Sequence, residues 1–177
     1  MSLKRNIRTI ITSFLLLTGA AAVSAQHQAP HHTPYAGHQQ RSVKALSDQQ
    51  VADLRAGRGM GLALAAELNG YPGPLHVLEL ADQLQLSGDQ RHHVQRLFDS
   101  MKAEATLVGA ALIEQETVLD RAFATNHISE AALSQLTLQI GETQGRLRAV
   151  HLKYHLTTRA LLSPAQRERY ASLRGYR

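Results

Sequence analysis

The chain has no cysteine and no tryptophan, and only three phenylalanines and five prolines among its 177 residues. Without cysteine, neither disulfides nor thiolate chemistry is open to it. With so few large aromatics, a core must be assembled from Leu, Val, Ile, Ala and Met. Three signatures of catalysis are also missing: a Gly-rich phosphate loop after a strand, an H-E-x-x-H motif, and a Ser/His/Asp set on a rigid scaffold. An enzyme is therefore not expected. Nor is the net charge of +5 a strong signal, since Lys4, Arg5 and Arg8 supply three of those charges and the rest of the chain carries +2. So small an excess gives little support for nucleic-acid binding.

What is present begins with the three parts of an export signal in order: the cations Lys4, Arg5 and Arg8, the apolar stretch "IITSFLLLTGAAAV", and "VSA" before Gln26. Residues 1–25 thus read as a signal peptide cleaved after Ala25, which implies export of the mature protein. The alternative, a retained anchor, is disfavoured because the stretch is interrupted by polar residues and falls short of the roughly 20 apolar residues of a spanning helix. Residues 26–45 carry His27, His31, His32 and His38 without apolar period, and read as a His-rich disordered arm. Residues 46–74 read as short helices and a Gly-rich connector: a helix from Ser47 to about Ala56, one or two turns over Leu62–Leu68, and the turn "NGYPGP". A further helix is predicted from Leu75 to about Gln85.

Two long proline-free segments carry the architecture. Val94, Phe98, Met101, Ala105, Val108, Leu112, Gln115, Leu119 and Ala122 recur at spacings of four and three, as do Leu133, Leu136, Ile140, Thr143, Leu147, Val150, Tyr154, Thr157 and Leu161. Such seams predict two long helices, and the short break "ATNHIS" between them predicts an antiparallel hairpin. The fold class is all-α, a long helical hairpin with short flanking helices. Residues 87–125 carry four Lys/Arg and six Asp/Glu, a net −2, while residues 129–177 carry eight and three, a net +5. The second arm accordingly offers Arg146, Arg148, Lys153 and Arg159 as candidate contacts to an acidic or partly unfolded partner. Solvated faces of two mutually attracting arms explain the same charges equally well.

One five-residue word occurs three times: "LSDQQ" from Leu46, "LSGDQ" from Leu86 and "LSPAQ" from Leu162. Ser followed three residues later by Gln is a helix start, in which the hydroxyl and the side-chain amide bond each other's backbone N–H. The second and third words (Leu86, Ser87, Gln90 and Leu162, Ser163, Gln166) bracket the hairpin behind a signal peptide. In this the chain resembles the Spy/CpxP family of periplasmic proteins, which includes heavy-metal-resistance sensors and zinc-resistance-associated proteins. The resemblance covers residues 75–174, with Ser where the family commonly has Thr, and with the "LSDQQ" word and Gly-rich stretch outside the shared part. It implies a dimer of hairpins forming a curved cradle. It also implies either ATP-independent binding of non-native or partner proteins in an envelope-stress response, or divalent-metal binding reported to a membrane partner.

"HLKYH" sets His151 and His155 at i and i+4 on a predicted helix, a spacing that lets two imidazoles meet one Zn, Ni or Cu ion. His76 and Glu79 in "HVLE" are the candidates to complete it. In the heptad reading His151 flanks the seam and His155 points further outward, so solvated histidines are the competing expectation. His92 and His93 are adjacent and expected at the surface.

Overall fold

The computed structural model describes residues 34–176. The predicted signal peptide, and His27, His31 and His32 of the arm, lie outside them. Six helices follow in order: α1 Asp48–Arg55, α2 Leu64–Glu67, α3 Pro74–Glu79, α4 Gly88–Ala124, α5 Glu130–Leu161 and α6 Pro164–Leu173. No strand occurs among the described residues. The fold is all-helical, as the apolar periodicity predicts.

Each repeated word starts a helix by its own side chains. The Ser47, Ser87 and Ser163 hydroxyls accept from the amides of Gln50, Gln90 and Gln166 at 3.1, 3.1 and 3.2 Å. In return each glutamine side chain accepts from its serine amide, at 2.8, 3.1 and 2.9 Å. Two of these caps also meet. Gln90 and Gln166 exchange hydrogen bonds, each amide donating to the other's carbonyl oxygen at 3.0 Å. Gln90 Nε2 further donates to the Leu161 carbonyl at 2.8 Å and Gln166 Nε2 to that of Leu84 at 3.3 Å. The leucines that open these two words, Leu86 and Leu162, share one buried cluster with Val77, Ala81, Leu84, Val94 and Tyr170. The word therefore supplies a core contact, a cap and a cross-link at the base of the hairpin.

At the other end, α4 closes with Asn126 in the left-handed region at φ +54°. The Asn126 and His127 amides return to the carbonyls of Phe123 and Ala122, both at 3.1 Å, which is the Schellman pattern. Ser129 then caps α5 by accepting from the Ala132 amide at 3.2 Å. The two long helices pack antiparallel through a second cluster, in which Ala105, Leu112, Ile140 and Leu147 enclose Leu54 of α1. There α1 presses onto α4 so closely that a Cβ at Gly109 would lie 2.6 Å from the Leu54 carbonyl oxygen. Only glycine permits that crossing.

Three expectations shift. The helix predicted to reach Gln85 stops at Glu79, and Leu80–Gln85 continue as turns ending with Gln85 at φ +52°. Residues 34–45, read as part of a disordered arm, hold a 3-10 turn at His38–Gln40, bury Val43, and pair Lys44 with Asp120 at 2.9 Å. Finally, the buried line drifts off the heptad positions. Gly109 and Glu116 are buried on α4 where Val108 and Gln115 were expected, and His151 and Thr158 on α5 in place of Val150 and Thr157. A straight helix drifts about 20° per heptad from a 3.5-residue repeat. Flanking elements, rather than the partner arm alone, then decide which side is covered.

Candidate functional site

His151 and His155, one turn apart on α5, face the connector that runs from α1 to α3. A cavity of about 250 Å³ opens there, walled by both rings, by Glu67 and His76, and by Met101 of α4. The connector can approach this closely because it carries glycine at the contacts. A Cβ on Gly73 would stand 2.8 Å from Cε1 and Nε2 of His155, and one on Gly59 would touch the His151 ring. Pro74 then starts α3 at a position where its missing N–H is harmless.

Glu67, the last residue of α2, lies under the cavity and is only 4 % exposed. A buried carboxylate needs donors, and four are arranged around it. Gly73 N donates to Oε2 at 3.0 Å, and His76 Nδ1 to Oε1 at 3.3 Å. The Tyr170 hydroxyl donates to Oε1, as does that of Tyr176 at 3.2 Å. His155 Nδ1 stands 3.6 Å from Oε2. Burial alone pushes the Glu67 carboxyl up; the hydrogen bonds from His76, Tyr170 and Gly73, with the charge of His76, outweigh it and hold the pKa at about 2. For Tyr170, burial first and then the Glu67 carboxylate push the hydroxyl upward, so it stays a donor.

The two α5 histidines are in different states of satisfaction. His155 Nδ1 donates to the Tyr71 carbonyl at 2.7 Å, which assigns the proton of a neutral ring to Nδ1 and leaves the Nε2 lone pair free. His151 is 2 % exposed, and its Nε2 is enclosed without a hydrogen-bond partner. Burial, and secondarily the neighbouring His155, hold the His151 imidazole below the ordinary histidine range. Both rings are buried, against the expectation that one flanks the seam and the other points outward. The connector, absent from any two-helix reading, covers them.

Of the four predicted metal ligands, His76, His151 and His155 line one cavity. Glu79 does not; it is exposed at the end of α3. Its place is taken by Glu67, which the sequence reading missed. As the side chains stand, no three His, Asp or Glu among the described residues are grouped to hold a metal ion. Two imidazoles with acceptor nitrogens, a carboxylate and a thioether are a chemically suitable donor set, but the rings must turn to share one ion. His92 and His93 are exposed as expected.

The four basic candidates do not form one surface. At roughly 100° per residue, Arg146 and Lys153 share one side of α5 while Arg148 and Arg159 share another. Arg146 donates to Thr143 Oγ1 at 2.9 Å, and Lys153 pairs with Glu104 at 2.7 Å. Arg159 instead lies over the Tyr71 ring, 4.6 Å from its centroid. No family model, curated protein or solved structure matches the chain.

Proposed function

We propose that the protein is a non-catalytic periplasmic binding protein that holds non-native or partner proteins without ATP, in the manner of an envelope-stress chaperone or adaptor. The observation that carries this reading is the bare tip of the hairpin. Val118, Phe123, Leu133 and Leu138 are all exposed there, Leu138 by 64 %. Large apolar side chains left in water on the outer part of two helices support a contact with another chain. A second copy of the hairpin meets the same need, and we include dimerisation in the proposal. No described helix is long and apolar enough to cross a membrane. In a light-scattering assay, stoichiometric protein should suppress aggregation of a denatured client, and replacing Phe123 and Leu138 with Ser should remove most of that protection. Full protection by the double variant, or none by the parent, would refute the reading.

A second reading, divalent-metal binding in heavy-metal sensing or resistance, is favoured by one observation: the unpartnered Nε2 of His151 in a cavity shared with His76, His155 and Glu67. Zn, Ni or Cu would be held there through imidazole nitrogens. Calorimetric titration of the metal-free protein tests it. Tight one-site binding should weaken in acid as the imidazoles protonate, with His151 resisting protonation because burial holds it below the ordinary histidine range. His151→Ala or His155→Ala should abolish it, and deletion of residues 26–38 should leave it intact. Binding lost with the arm alone would move the chemistry out of the cavity.

A further inference from the structure

On the other side of Glu67 lies a second cleft, of about 460 Å³, between the α2–α3 connector and α6. We propose that it binds a small carboxylate, held by Arg159 and Arg167. This inference is independent of both functional readings above.

The argument rests on which charges in the cleft are already occupied. Glu67 is part of the lining, but its oxygens are taken up by Tyr170, Tyr176, Gly73 and His76. It is not the counter-ion of either arginine. Arg159 and Arg167 form no ion pair with any acid among the described residues, unlike Arg58 with Asp53 and Arg91 with Asp82. Arg167 donates from Nη1 to the Leu162 carbonyl at 3.3 Å. Arg159 lies over the Tyr71 ring, its Cζ 4.6 Å from the centroid, a cation–π contact that holds the guanidinium in the cleft wall. Its Nε is enclosed without a partner, so the donors left for a ligand are those of the outer Nη edge.

A planar fork of that kind matches the two oxygens of a carboxylate. The lining also decides between anions. Two arginines are offset by Glu67 and by Glu168, so the cleft has no excess of positive charge with which to offset the larger desolvation cost of a dianionic phosphate. An ammonium group on the ligand would be drawn to Glu168, which makes amino-acid-like carboxylates the best fit within the class.

The test is calorimetric titration of the purified full chain with acetate, glycine, glutamate and inorganic phosphate. Carboxylates should saturate a single site, with phosphate weakest. Arg159→Gln and Arg167→Gln should each weaken binding about tenfold or more, the scale of one lost charge-assisted hydrogen bond. Arg148→Gln should have no effect. Arg159→Lys keeps the charge and guards against misfolding of the Gln variant; it too should bind more weakly, since it lacks the fork. The proposal is overturned if no carboxylate saturates, if phosphate binds tightest, or if folded Arg159→Lys and Arg167→Gln proteins bind as the parent does.

Discussion

At the base of the hairpin, Val77, Leu84, Val94 and Tyr170 are each at most 2 % exposed, whereas between Glu116 and Ile140, around the tip, no residue is buried. Of these base residues only Val94 belongs to the long pair; Val77, Leu84 and Tyr170 come from α3, the turns after it and α6, whereas the tip is built from α4 and α5 alone. The difference is the company they keep. A pair of helices can each bury one stripe, and the remaining apolar side chains stay in water. At the base, α1, α3, the connector and α6 cover further sides and complete the core. Stability is thereby concentrated at one end, together with the histidine cavity and the buried glutamate, and apolar surface is left available at the other.

The contrast is most directly broken by truncating one leucine and one phenylalanine. Leu84→Ala should cost about 2–5 kcal/mol of unfolding free energy, as buried leucines do. Phe123→Ala, at 52 % exposure, should stay within about 1 kcal/mol. Urea denaturation of the two variants measures both, and equal losses would mean that the tip is covered in solution.

Glu67→Gln comes next. Removing the charge weakens several charge-assisted hydrogen bonds at once and should cost about 1–3 kcal/mol at neutral pH. Its pH signature is more specific. The folded-state pKa of about 2 lies below the ordinary value of 4.5, so the unfolded chain binds the proton more readily. That contribution is fully present above pH 4.5 and is lost as pH falls toward about 2. Midpoints measured across this window should slope less steeply for the Gln variant than for the parent.

The smallest expected change sharpens the boundary between the two regions. Asp120 anchors Lys44 at 2.9 Å on the outer part of α4, at partial exposure. Asp120→Ala should change stability by less than about 1 kcal/mol, an effect that salt screens further. Faster hydrogen exchange confined to residues 34–46 would show that this pair fastens the segment alone.

Local chemistry made much of this architecture legible in the sequence. The Ser–Gln words set three helix starts to within a residue, and proline-free apolar periods marked both long helices. Legibility failed where a residue's state depends on distant chain. Glu67 sits in "LAAELNG" with nothing nearby to mark it, and Tyr170 and Tyr176, two of its donors, lie 103 and 109 residues away. His151 and His155 read as marginal because a two-helix seam has no third element, while the glycines that admit the connector carry no side chain to announce the contact. Glu79 looked suitable by its spacing from His76. Spacing of i and i+3 states which side of a helix two residues share, and not which side the rest of the chain will cover.

The exchange of amides between Gln90 and Gln166 also bears on the order in which the molecule comes together. Each glutamine's bond to its own serine closes over three residues and can form while the chain is still open. The bonds between the two glutamines join positions 76 residues apart, and form only once the hairpin has shut and its last helix has docked. One side chain therefore serves early as a nucleator and late as a clasp. Its loss, in Gln90→Ala for instance, should slow folding through the missing cap and speed unfolding through the missing clasp. The cap belongs to the opening of the folding reaction and the clasp to its close.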